Sequence, residues 1–129
     1  MDIRTHRRID AGLCGQAEAV GEGTSRVRLT TDARMAADER GLVHGGFVFG
    51  LADYAAMIAV NHSNVVLGAA DVKFLAPVKV DETVVAEAKV VETAGRKRQV
   101  AVRVRRGDKP VFEGQFTCFV LEAHVLDGA

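Results

Sequence analysis

Residues 45–61 run Gly-Gly-Phe-Val-Phe-Gly-Leu-Ala-Asp-Tyr-Ala-Ala-Met-Ile-Ala-Val-Asn, almost all apolar or small, without proline and with one charge, Asp53. The alanine content favours a helix, and the lack of a polar face predicts one enclosed on nearly all sides. At a rise of 1.5 Å per residue it would be about 25 Å long, and the apolar run falls short of the roughly 18 residues that suggest a membrane span. A core helix follows, stopped at Asn61-His62-Ser63-Asn64.

A buried helix needs a wrapping, and the rest of the chain is strand-like. Residues 25–30 alternate, with Val27 and Leu29 set against Arg26 and Arg28, after a mixed segment at 15–20 and a turn at Gly21-Glu22-Gly23. Four period-two segments follow the helix, at 65–76, 83–92, 98–106 and 111–121, broken at Pro77, Gly95 and Gly107-Asp108. Val100, Val102 and Val104 share one face, and Phe112, Phe116, Cys118 and Val120 supply a matching one. Residues 31–41 read as a loop with one helical turn, and residues 5–9 as a further turn before the first strand. The order is two strands, one helix and four strands: an α+β chain forming one domain over 1–129, its curved antiparallel sheet around the helix. One sheet cannot cover every side of such a helix, so a second copy is expected against it, a homodimer at minimum.

Charge narrows the partners. Lysine plus arginine equals aspartate plus glutamate, 17 against 17, which gives no global field for nucleic acid or an anionic membrane. Cys14 and Cys118 are far apart and form no ligand spacing, and His6, His62 and His124 have no metal spacing, so neither a metal nor a cofactor is expected. The charged start, Met1 to Arg8, is followed by no apolar stretch of the signal-peptide kind, and a reducing cytoplasm is the expected compartment.

Asp53 is the chemical anomaly. An unpaired carboxylate among Phe49, Leu51, Ala52, Ala55 and Ile58 costs several kcal/mol or shifts its pKa upward. It reads either as a reactive group or as a structural carboxylate on a wet edge. His44-Gly45-Gly46 opens the same helix. Paired glycines there let a ligand approach closely, and the free N–H groups of the first turn are suited to an oxyanion, although a tight entry turn uses glycine as well. Gly45 and Asp53 are eight residues apart, about 12 Å along a helix axis, too far to share one carbonyl within a chain. Two such helices antiparallel across a two-fold axis would bring the start of each to the Asp53 level of the other.

The stretch His44-Gly45-Gly46-Phe47-Val48-Phe49-Gly50-Leu51-Ala52-Asp53 resembles the HGG…LAD signature of hotdog-fold acyl-CoA thioesterases, in particular the phenylacetyl-CoA thioesterase-like group. Ala55-Ala56, Asn61 and the segment Asp71-Val72-Lys73-Phe74-Leu75-Ala76-Pro77-Val78 extend the likeness. The resemblance implies a hotdog fold, an acyl-CoA substrate and a homodimer that pairs into a homotetramer. It makes Asp53 the nucleophile or the general base for water, Gly45 N–H the oxyanion donor from the opposite subunit, and His44 the shaper of the turn. Gly46, Asp38, Asn61 and Tyr54 are the expected substrate contacts. Asp38 departs from the pattern, since such enzymes commonly carry Asn or Gln there, and an ionised Asp38 would repel an oxyanion. Met57, where some relatives carry a water-holding hydroxyl, departs too. These departures keep a second possibility in view, a non-catalytic acyl-CoA-binding or regulatory module; a hydratase lacks its motif here. Arg96-Lys97-Arg98, with Arg103, Arg105 and Arg106, are candidate ligands for coenzyme A phosphates, or simply a solvated face.

Overall fold

The computed structural model describes residues 1–128. Six strands form one antiparallel sheet: β1 (Gln16–Gly21), β2 (Thr24–Thr30), β3 (Val65–Phe74), β4 (Thr83–Ala94), β5 (Lys97–Arg106) and β6 (Lys109–Val120), in the spatial order β1-β2-β4-β5-β6-β3. Two helices accompany them, α1 (Ala11–Cys14) and α2 (Gly45–Val60). The sheet curves around α2, and this is the hotdog architecture.

Period-two patterning sets which side of each strand meets the helix. Val27, Leu29, Val84, Ala86, Val100, Val102, Val104, Phe112, Phe116 and Cys118 are buried, and they close on Leu51, Ala52, Ala55, Ala56 and Ile58 of α2. In the expected loop at 31–41 one turn of 3-10 helix forms at Ala33–Met35, because Asp32 accepts the amide of Arg34 at its start. The third expected strand, at 65–76, ends two residues early, at Phe74, where the amides of Leu75 and Ala76 both turn to the carbonyl of Val111.

Two expectations change. The first short helix is at Ala11–Cys14 instead of 5–9, because Asp10 caps it by accepting the amide of Gly12 at 2.8 Å. The sheet is also not the only wrapping that one chain provides. Helix α1 packs on α2, and the N-terminal segment is tied to the end of α2 by Asn61, whose Oδ1 accepts from Arg4 N at 2.7 Å while Nδ2 donates to the Asp2 carbonyl at 2.8 Å. The second half of α2 is therefore buried within the chain up to Ala59. The accessible positions collect in its first half: Gly46 is exposed, and Gly45, Phe47, Phe49, Gly50 and Asp53 are half-buried.

Candidate active site

Helix α2 begins at Gly45, with His44 in extended backbone before it (φ −62°, ψ 130°) and no side-chain cap. The first-turn amides of the helix are thus left without a capping side chain, at the positive end of the helix dipole. His44 is held by its backbone, which donates to the Met35 carbonyl at 2.9 Å, and its exposed ring meets Phe47 edge-on at 6.2 Å. Gly46 is exposed, and a Cβ there would lie 3.3 Å from His44 Nε2. The space outside Gly45 is an apolar groove of about 290 Å³ walled by Val43, Val48, Phe74, Pro77, Val78 and Val111. Phe74 is 55% exposed, although its ring packs edge-on against buried Phe112 at 5.1 Å.

Asp53 lies two turns along, on the same helix face as Gly46 and Gly50 by the i, i+4, i+7 rule. It is half-buried, and its Oδ1 is buried without a hydrogen-bond partner among the described residues. Burial raises its pKa from 3.8 to about 6. Two thiols lie within electrostatic reach. Burial first, and then the Asp53 charge, push Cys118 up to about 12; burial, Asp10 and Asp53 raise Cys14. A buried polar atom with no partner is uncommon, and one in a carboxyl group poised near neutrality is suited to exchanging a proton or attacking a carbonyl.

The other expected contacts divide. Asp38 is exposed, and its Oδ1 accepts the amides of Arg40 at 2.9 Å and Leu42 at 3.1 Å, so the carboxylate shapes its own loop beside a second groove. Asn61 and Tyr54, the other expected substrate contacts, are buried within the chain. Asn61 is 3% exposed at the far end of α2, in left-handed backbone (φ 54°, ψ 43°), with its amide engaged by Asp2 and Arg4. Tyr54 is 6% exposed in the core, its hydroxyl pKa raised by burial and then by Cys14. Met57 is 1% exposed and also belongs to the core. Among the described residues no group of three or more His, Cys, Asp or Glu could hold a metal, and no helix is long and apolar enough to cross a membrane.

The basic candidates also separate. Arg96 pairs with Glu122 at 2.6 Å, and Arg98 donates to the carbonyls of Gly95 and Lys97. Their hairpin neighbours Phe119 and Val120, which pair with the start of β3 just after α2 ends. Arg106 is instead at the helix-start end, donating to the Pro77 carbonyl at 2.8 Å. Residues 74–78, part of the segment that extends the family likeness in the sequence, wall the groove at Gly45, a contact that their spacing from the helix start did not reveal.

The sequence model of the thioesterase superfamily matches residues 40–113, more than half of the chain and including both Gly45 and Asp53. The chain belongs to the thioesterase superfamily. A crystal structure of an uncharacterized protein from Pyrococcus horikoshii is similar at 52% identity and a TM-score of 0.97, with 98% of each chain covered. A hypothetical thioesterase from Streptococcus pneumoniae, solved with coenzyme A, shares the fold at 19% identity and a TM-score of 0.76, over 84% of this chain and 87% of that one. Two curated relatives are longer proteins. Methylthioribose-1-phosphate isomerase from Aquifex aeolicus is 51% identical over 95% of this chain, which spans 27% of that protein. Transcription factor FapR from Thermoanaerobacter is 33% identical over 66% of this chain and 42% of its own length.

Proposed function

We propose that this superfamily member hydrolyses an acyl-coenzyme A thioester, at a site that two copies of the chain build together. Asp53 of one copy faces the thioester, and the Gly45 N–H of the other polarises its carbonyl. The observation that carries this reading is the Asp53 carboxyl: its Oδ1 is buried and unpartnered, and burial raises its pKa to about 6. Such a group is ionised at neutral pH yet basic enough to accept a proton. Coenzyme A as the thiol is supported by the Streptococcus protein of this fold, which was solved with it.

In the chemistry assigned here, oxygen adds to the carbonyl carbon, negative charge develops on the carbonyl oxygen facing Gly45 N–H, and the C–S bond breaks to release the thiol. With Asp53 as general base, the oxygen comes from water and the proton taken by the carboxylate passes to the sulfur. With Asp53 as nucleophile, the carboxylate forms a mixed anhydride that water then opens. Both routes give free acid and coenzyme A. His44 sets the entry of the chain into the helix, and Gly46 keeps its approach clear.

The shared site requires a homodimer, and two features support one. The accessible face of α2 carries Gly46, Gly50 and Asp53 together, with small residues that let a second helix approach. Strand β3 is at the sheet edge with Gly68, Ala69, Ala70 and Asp71 exposed, a row of backbone groups ready to pair with a second copy. Pairing of dimers into tetramers, action of residues 1–129 as one unit and residence in the cytoplasm belong to the same reading.

The test is thiol release from short, long and aromatic acyl-CoAs. Asp53→Asn should fold normally and lose activity by about a hundredfold or more. Wild-type turnover in that variant would refute the assignment. The likeness to FapR, a transcription factor by name, favours one other reading, a regulatory module that does not cleave a thioester, here with acyl-CoA as its proposed ligand. It predicts calorimetric binding of acyl-CoA together with no thiol release across the whole panel.

A further inference from the structure

The groove at the helix start has a neighbour. Pro77 and Val78 wall the apolar groove at Gly45, and the same two residues wall a second groove of about 510 Å³. That second groove is lined by charge: Arg40, Lys79 and Arg106, together with Asp38 and Glu82. The apolar groove at Gly45 and the charged groove, with three cations against two carboxylates, therefore adjoin at Pro77 and Val78.

The backbone holds this charged groove in place. Leu42 and Lys79 form an isolated antiparallel bridge, Val43 N donates to Val78 O at 2.8 Å, and Val80 N donates to Gly41 O at 2.8 Å. Gly41 has φ 81°, a left-handed conformation that suits glycine, and an added Cβ would press to 3.0 Å from Val80. Arg40 is two residues before the bridge and Lys79 is within it, and both line the second groove. The two carboxylates are engaged by neighbouring donors. Asp38 accepts the amides of Arg40 and Leu42, and Glu82 accepts Lys79 N at 2.7 Å and Arg106 Nη1 at 3.3 Å. Among the described residues the side chains of Arg40 and Lys79 enter no ion pair, and both residues are exposed.

We propose that Arg40 and Lys79, with Arg106 behind them, bind the phosphates of coenzyme A, and that its pantetheine arm crosses Pro77 and Val78 to present the thioester to Gly45. The ligand fits the two adjoining grooves in chemistry. It has a slender arm, largely apolar between its amides, that ends in multiply charged phosphates, and its occupant's charge is opposite to that of the two uncommitted cations. The basic hairpin Arg96-Lys97-Arg98 does not carry this role, because Arg96 and Arg98 are engaged locally and the hairpin is at the other end of the helix within the chain. The inference rests on the proposed function for the position of the thioester, but not on cleavage.

Calorimetry with free coenzyme A and with pantetheine separates the possibilities. The Arg40→Ala/Lys79→Ala double variant should bind coenzyme A about tenfold more weakly or worse and bind pantetheine as the wild type does. Raised salt should narrow the difference, as for any exposed charge contact. The Lys79→Glu single variant, at an exposed side chain, serves as a second reading of the same charge and should weaken coenzyme A binding further than Lys79→Ala. Unchanged affinity, equal losses for both ligands, or a loss produced by Arg96→Ala/Lys97→Ala instead would overturn the assignment. Absence of coenzyme A binding in the wild type would overturn it too, while hydrolysis of an acyl-pantetheine thioester would still uphold the hydrolase reading. Coenzyme A binding with the expected charge dependence, but no thiol release, would leave this inference standing and remove hydrolysis.

Discussion

The ring of Phe74 lies against the backbone of Gly45 so closely that a Cβ added to Gly45 would stand 3.1 Å from Phe74 Cε2. Gly45 is the first residue of α2 and is not in left-handed backbone, so alanine suits its conformation and favours the helix. The added methyl displaces only an exposed ring. Gly45→Ala should therefore melt within a few degrees of the wild type while kcat/KM falls on the order of tenfold, because the ring shifts into the groove mouth at the N–H donor. Unaltered kinetics in that variant would place the reacting carbonyl elsewhere.

The raised pKa of Asp53 sets a pH profile. Only the ionised carboxylate acts as base or nucleophile, so kcat/KM should climb with pH through about 6 and level off above it. A profile flat from pH 5 to 8 would mean that another group carries the chemistry.

The same burial has a thermodynamic consequence with a defined sign. A carboxyl whose pKa is higher in the folded chain than in the unfolded one favours folding only while protonated. Its contribution is complete below pH 3.8 and is lost as pH rises through about 6, where the unfolded chain has already released the proton. The rise from 3.8 to about 6 corresponds to on the order of 3 kcal/mol. Asp53→Asn, which carries no charge at any pH, should exceed the wild type in urea stability at pH 8 by up to that amount and match it at pH 4. A variant less stable than the wild type at pH 8 would show that the charge is compensated.

Gly50 offers a clean test of the dimer. A Cβ at this position meets nothing within 4 Å in the chain, and a larger residue also improves helix propensity. Gly50→Gln should leave the protomer folded, and no less stable, while sedimentation shows the oligomer dissociating and thioester hydrolysis falling with it. A dimer of unchanged affinity would move the interface away from this face of α2.

Local physics made much of this molecule legible in the sequence. The apolar run without proline, ended at Asn61, could only be a core helix, and the alternation of Val100, Val102 and Val104 could only be a strand with one covered face. Asp53 was visible for the same reason, as a charge where burial forbids an unpaired one. The cap at Asp10 was the local signal passed over, and with it the part that α1 plays in covering α2.

Proximity across the chain was a different matter, because sequence distance does not encode which loops meet. Tertiary structure alone placed Phe74 over Gly45, joined residues 41–43 to residues 78–80, and so gathered Arg40, Lys79 and Arg106 at one end of a groove while leaving Arg96 and Arg98 at the other end of the helix. It also made Asn61 the tie for the N-terminal segment, since a side-chain amide bonds whichever backbone folding brings to it. Sequence determined the elements and the anomalous carboxylate, because periodicity and desolvation act along the chain; the long-range contacts decided what surrounds that carboxylate and which cations stand near the helix start.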